Sequence, residues 1–261
     1  MNIRQLAAIL LLGTPLFASA QAPSAIGEVA LVTGSVTASV AGSPVPKPLK
    51  AGDALAEGQT ITVAANSYAS LKFADGGRVL LRPNSEFLVE SFKYTPAAAP
   101  ATAAPAPAAP AGAVGSAFFR LVRGGFRAIS GLIGKGDRQS YKVTTPVATI
   151  GIRGTDYEVQ LCTNDCPTTP TAGTAAGTEV ASTDLSGLQL AQQDPRPAPG
   201  GTGVILATHE GSIEARTAGG ATIRVDAGQV GVMLASGQTF MLPVVPDALI
   251  RDPAPDPKTC E

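Results

Sequence analysis

Along much of the chain, apolar and polar side chains change places at every second residue. Tyr157, Val159 and Leu161 alternate with Asp156, Glu158 and Gln160; Leu71 and Phe73 alternate with Ser70 and Lys72. Tyr141 and Val143 alternate with Ser140, Lys142 and Thr144, and Ile213 and Ala215 with Ser212, Glu214 and Arg216. A period of two puts each set on its own face of an extended strand. These runs therefore predict half-buried antiparallel strands with one oily and one wet face. Asp75-Gly76, between two such runs, predicts a tight hairpin, because glycine supplies the positive φ that such turns need. Helical spacing is hardly seen after the first twenty residues. The pattern predicts an all-β fold of many short antiparallel strands.

Those first twenty residues are a separate matter. Arg4 gives a short basic start, Leu6-Ala7-Ala8-Ile9-Leu10-Leu11-Leu12 an apolar run, and Ala18-Ser19-Ala20 a small-residue cleavage site. The order predicts a signal peptide over 1–20, cut between Ala20 and Gln21. The run falls short of the roughly 20 apolar residues that cross a bilayer. The mature chain is expected to be periplasmic or secreted and soluble, with no later transmembrane segment and no lipid anchor. Three further stretches are of low complexity: an Ala/Pro-rich linker over 95–116, a flexible Gly/Thr/Ala/Pro insertion over 163–202 with a short helical turn at 180–193, and a Pro-rich tail over 243–261 that trails on the surface. They leave 21–94, 117–162 and 203–242 as three parts of one β domain.

Composition narrows the function. Hydrophobic residues make up 44% of the 261, but alanine in the signal and linker inflates that figure, so the core is smaller than it suggests. Net charge is −1 with Lys and Arg scattered, which disfavours polyanion binding, whether nucleic acid or anionic lipid. Of the three cysteines, Cys162 and Cys166 flank the turn-forming Thr163-Asn164-Asp165 and are expected to pair after export; Cys260 bridging back to one of them is the alternative. Candidate chemistry is sparse. His209 is the only histidine, and neither Ser212 nor Thr208 stands in a nucleophile elbow beside it. Cys162, Cys166 and His209 give three zinc ligands where about four are needed, and none if the cysteines are oxidised. Asp75, Glu86, Glu90, Asp156 and Glu158 read as solvated charges rather than a catalytic pair. No phosphate-cradling glycine loop occurs. The expectation is a non-enzymatic protein with no catalytic residue, cofactor or metal.

An internal repeat is visible. Gly34-Ser35-Val36-Thr37-Ala38 recurs as Gly124-Gly125-Phe126-Arg127-Ala128 and as Gly211-Ser212-Ile213-Glu214-Ala215. Leu49-Lys50-Ala51-Gly52-Asp53 is matched by Val225-Asp226-Ala227-Gly228-Gln229, and Gly58-Gln59-Thr60-Ile61 by Gly237-Gln238-Thr239-Phe240. Such matches come either from generic Gly-strand patterning or from equivalent strand pairs in a stacked or two-sheet architecture.

The densest motif is Val143-x-Thr145-Pro146-Val147-Ala148-Thr149-Ile150-Gly151-Ile152-Arg153-Gly154-Thr155-Asp156-Tyr157. Pro146 holds Thr145 extended and withholds a ladder donor, which suits a strand start. Arg153-Gly154-Thr155 reads as a sharp corner: either Arg153 and Thr155 tie it together, or Arg153 is offered to a partner. This string resembles the FecR family, as do Gly27-Glu28-Val29, Leu49-x-Ala51-Gly52-Asp53-x-Leu55, Gly58-x-x-Ile61, the hairpin from Ser67 to Gly76, Leu80, Leu81, Pro83 and Ser85, and His209 to Gly228-Gln229. Gln59 and Val63 depart from the family's more usual acidic residue and threonine. The resemblance implies a FecR-like two-sheet domain (β-sandwich or β-solenoid-like) and an extracytoplasmic interaction or signalling module whose partner is another envelope protein. FecR regulators of sigma factors carry a cytoplasmic region and a transmembrane helix before this domain. A signal peptide in that place implies that direct sigma-factor contact does not carry over. A glycan or small-ligand module, or a structural envelope protein, is the alternative, and the lack of Trp counts against sugar binding.

Overall fold

The computed structural model describes residues 25–96, 114–136, 138–168, 201–243, 245 and 249. The signal cleavage site at Ala20 and Gln21, the helical turn at 180–193 and Cys260 lie outside them. The described elements are sixteen β-strands and one 3-10 turn, Ile133–Lys135.

Three long antiparallel hairpins organise the fold. In the first, β1 (Gly27–Thr33) and β2 (Val36–Val40) run on either side of Gly34, against β6 (Tyr68–Phe73) and β5 (Gln59–Val63) on either side of Asn66. In the second, β7 (Arg78–Leu81) and β8 (Glu86–Thr95) flank Asn84, against β10 (Gly125–Ile129) and β9 (Val114–Arg123) flanking Gly124. In the third, β12 (Ala148–Cys166) bends at Gly154, against β13 (Gly201–Thr217), which bends at Gly211. Each hairpin thus has two arms. One set of arms joins β3 (Ser43–Pro48), β11 (Tyr141–Thr144) and β14 (Thr222–Asp226) in layer one. The other set joins β4 (Ala54–Leu55), β15 (Val230–Leu234) and β16 (Thr239–Leu242) in layer two. All sixteen strands are hydrogen-bonded into one continuous sheet folded over on itself, in the way that sandwich corners arise from strands that bend from one layer into the other.

The inward faces follow the alternation. Aromatic rings bridge the layers: Phe73 of layer two lies 5.1 Å from both Phe92 and Phe119 of layer one, and Phe126 lies 5.4 Å from Phe87. The Tyr157 hydroxyl meets that of Tyr141 at 3.3 Å, and burial holds both phenols above the usual tyrosine range. The all-β two-layer expectation holds, with one correction to the strand directions. β11 runs parallel to β9, because the chain leaves β9 for β10 in layer two before returning.

Several boundaries also move. Thr95 pairs with Val114, so strand enters both ends of the 95–116 segment. Pairing continues through Cys166 and resumes at Gly201, so both ends of 163–202 are strand as well. In the 243–261 tail, Leu249 is 6% exposed and packs with Cys162, Cys166, Ile205, Val230 and Val232 on the outer side of layer two.

The repeat is real in three dimensions. Gly52 N donates to Val29 O and Gly228 N to Thr208 O; Val29 N donates to Asp53 O and Thr208 N to Gln229 O. The Asp53 and Gln229 side chains accept from Lys50 N and Asp226 N at 2.8 and 2.9 Å. The equivalence ends one strand later: β5 crosses to pair β2 in layer one, whereas β16 stays beside β15 in layer two.

Asp75 turns the β6–β7 hairpin as expected, but the residue is only 3% exposed. It accepts from Gly77 N at 2.9 Å and Ile133 N at 3.3 Å, tying the hairpin to the 3-10 turn. Burial raises its pKa above 3.8, and the two backbone bonds only partly offset this. A raised folded-state value means that the native state holds this proton more tightly than the unfolded chain. The contribution is therefore greatest below pH 3.8 and is lost as pH rises through the folded pKa. Asp75→Asn is expected to flatten that limb of a plot of Tm against pH; an unchanged limb in thermal melts would contradict this assignment.

Candidate interaction site

The Thr145-Pro146-Val147-Ala148 stretch is a turn closed by its own first residue. Thr145 N donates to Ala148 O at 2.9 Å, while Thr145 Oγ1 accepts from Ala148 N at 2.9 Å and Val147 N at 3.3 Å. Pro146 follows Thr145 where its fixed φ suits the turn. β12 leaves this turn with Ala148, Ile150 and Ile152 inward and Thr149 and Arg153 outward.

At Arg153-Gly154-Thr155 the strand passes from layer one to layer two. Thr155 Oγ1 donates to Ser212 O at 3.2 Å, Thr155 N donates to Ser130 Oγ at 2.9 Å, and Ser130 N returns a bond to Thr155 O at 3.0 Å. Gly154 has φ 58° and Gly211, opposite, has φ 79°; a Cβ on Gly211 would stand 2.4 Å from Gly154 O. The other two corners repeat the device. Ser67 Oγ accepts from Ser35 N beside Gly34, and Ser85 Oγ accepts from Gly125 N beside Gly124. A left-handed residue precedes the hydroxyl each time: Asn66, Asn84 or Gly154. The corner is thus tied by Thr155, and Arg153 has no part in it. The Arg153 side chain is exposed and, among the described residues, has no hydrogen-bond or ion-pair partner.

The acidic residues of the 156–160 run correct the solvated reading. Asp156 and Glu158 are 3% and 7% exposed. Asp156 accepts two bonds of 3.1 Å from Arg127, and Glu158 sits between Arg82 at 2.5 Å and His209 Nε2 at 2.9 Å. Each has a cation beside it that compensates its buried charge. Asp75 is buried too, whereas Glu86 and Glu90 stay near solvent and pair with Arg123 and Arg120. His209 borders a pocket of about 300 Å³ lined in part by Arg127, Thr208, Gln229 and Leu249. The Thr208 hydroxyl is turned away, donating to Val225 O at 3.2 Å, so the histidine and this hydroxyl do not form a nucleophile–base pair.

Cys162 and Cys166 are joined in a disulfide that closes the turn around Asn164, itself at φ 65°. His209 lies elsewhere, and among the described residues no cluster of three or more His, Cys, Asp or Glu side chains could hold a metal ion. The closed ring is short, so Cys162→Ala with Cys166→Ala is expected to cost only about 2 kcal/mol in urea unfolding. A loss above about 4 kcal/mol would mean that the bridge shapes the native layer.

The outer face of layer one is the part least visible in the sequence. Its acidic side chains each meet an arginine: Glu90 with Arg120, Glu86 with Arg123, Glu214 with Arg138, Asp226 with Arg224. Lys93, Lys142, Arg153 and Arg216 point the same way with no acidic partner among the described residues. Lys142 instead lies 5.9 Å from the Phe118 ring centre. Four cations far apart along the chain therefore share one face of the fold.

Residues 59–176 match the family model described as FecR protein. That stretch is FecR-like. The match covers β5 to β12, including the Thr-Pro turn and the Arg-Gly-Thr corner. The first four strands and β13 to β16 lie outside it, and β13 pairs with both arms of β12. The chain is also similar to two crystal structures, at 1.65 and 2.50 Å, of "a putative anti-sigma factor from Parabacteroides distasonis". Each is 11% identical with a TM-score of 0.37, over 70% of this chain and 58% of the other, so this chain spans somewhat over half the length of those proteins. The comparison with curated proteins returns no match. Among the described residues no helix is long and apolar enough to cross a membrane.

Proposed function

We propose that this is an exported FecR-domain protein that acts in the cell envelope as a non-catalytic, protein-binding module in signalling or regulation. The FecR match over 59–176 supports the signalling or regulatory role and a protein partner. The observation that carries the contact site is Arg153: the family-matched corner is tied entirely by Thr155, Ser130 and Ser212, which leaves an exposed guanidinium on a rigid mount. Recognition residues are often displayed on such scaffolds. Export rests on the signal layout of residues 1–20, and the non-catalytic reading on the scarcity of acid–base and nucleophilic residues.

Two measurements test this. Mass spectrometry of the envelope fraction is expected to find a mature N-terminus at Gln21; an unprocessed cytoplasmic chain would refute export. A photo-crosslinking residue at position 153 is expected to give a discrete protein adduct in cells, lost when the crosslinker is moved to Lys72 on layer two. Equal labelling at both positions, or no adduct at 153, would remove the corner as the contact.

A further inference from the structure

We infer that the outer face of layer one is a docking surface for an extended, acidic polypeptide segment of the partner. This rests on the protein-binding reading above and supplies the partner's chemistry. Among the described residues, the carboxylates of Glu86, Glu90, Glu214 and Asp226 on this face each have an arginine, and Glu57 accepts from Phe92 N, so Lys93, Lys142, Arg153 and Arg216 represent positive charge with no ion-pair partner.

The register gives the charges a shape. Lys93 on β8 lies opposite Ser116 of β9, and Lys142 on β11 lies beside Phe118 of β9 and Gly151 of β12. Arg216 lies opposite Thr149, four residues back along β12 from Arg153. At about 4.8 Å between strands, the path from β8 through β9, β11 and β12 to β13 is about 19 Å long. An extended peptide of about six residues has that length, at about 3.3 Å per residue. The spacing is too wide for one phosphate or carboxylate to bridge, which favours a ligand with several charges along its length.

The residue types favour carboxylates on a polypeptide over an anionic membrane. Two of the four free cations, Arg153 and Arg216, are arginines, whose planar fork matches carboxylate geometry. The face is a broad sheet surface, and Phe118, an aromatic on it, lies beneath Lys142 rather than projecting as a membrane wedge. The outer side of layer two offers no such field, because Arg82 and Arg127 are neutralised by Glu158 and Asp156.

The test uses the mature chain, residues 21–261, and a fluorescein-labelled eight-residue oligoglutamate peptide followed by anisotropy. Saturable binding is expected, weakened at least tenfold when NaCl is raised from about 50 to about 300 mM, as screened surface charges require. Lys93→Glu, Lys142→Glu, Arg153→Glu and Arg216→Glu together are expected to abolish it, and the matching Gln set to weaken it with the fold retained by circular dichroism. Lys72→Glu, in an exposed pair on layer two, is expected to leave it unchanged. No peptide binding, equal loss with Lys72→Glu, or binding only to phosphatidylglycerol/phosphatidylcholine vesicles would each overturn the inference. A crosslinked adduct at position 153 with no peptide binding would keep the protein partner and discard its acidic character.

Discussion

Replacing Glu158 with Ala is expected to destabilise the domain by about 3–5 kcal/mol, the cost of leaving a buried charge without its partner. The Arg82 side chain is 3% exposed, and its Nε and Nη1 have no hydrogen-bond partner among the described residues. Glu158 is thus the group that compensates its charge, through Nη2 at 2.5 Å. Removing the carboxylate leaves a guanidinium that can neither reach water nor lose its proton. The discriminating comparison is Arg82→Met with Glu158→Leu, which removes both charges and keeps apolar bulk. It is expected to recover most of the loss, because burying an ion pair gains little over packing apolar groups. Urea unfolding of the three chains measures both effects. A Glu158→Ala loss below about 1 kcal/mol would show that the guanidinium finds water in solution.

Phe119→Ala is expected to cost a similar 3–5 kcal/mol, for a different reason. The ring is 1% exposed and lies 5.1 Å from Phe73, 5.3 Å from Phe87, 5.5 Å from Tyr141 and 6.5 Å from Phe92. Those neighbours come from both layers, so the hole cannot be closed by shifting one side chain without opening another gap. Phe118→Ala, one residue away on the outer face, is expected to cost less than about 1 kcal/mol. A small difference between the two in urea midpoints would mean that the sandwich collapses around the void.

The inward face was readable because burial repeats with the strand period. Tyr141, Val143, Tyr157, Val159, Ile213 and Ala215 all fall inside, where the alternation puts them. The outward face was not. Asp156 and Glu158 follow the same alternation as Glu214, yet the first two are buried and the last is exposed. Whether an outward face meets water depends on what surrounds it, here the Arg82, Arg127 and His209 side chains, and strand periodicity carries no such information. The cationic face was illegible for a related reason: Lys93, Lys142 and Arg216 are far apart in the chain and become neighbours only through the β8-β9-β11-β12-β13 order. The corners lay between these extremes. Their glycines stood out in the repeat, and Thr155 was one of two residues read as tying its corner, but Ser67 and Ser85 had no pattern of their own that marked the role.

Because the three bent hairpins belong to both layers at once, the domain has no plane along which it could peel apart. Separating the sheets means breaking strands in mid-course, not sliding one surface off another. Amide protons on opposite walls, such as those of Phe87 and Phe126, should therefore become exchangeable in the same rare event, and a proteinase should find no half-open form to attack.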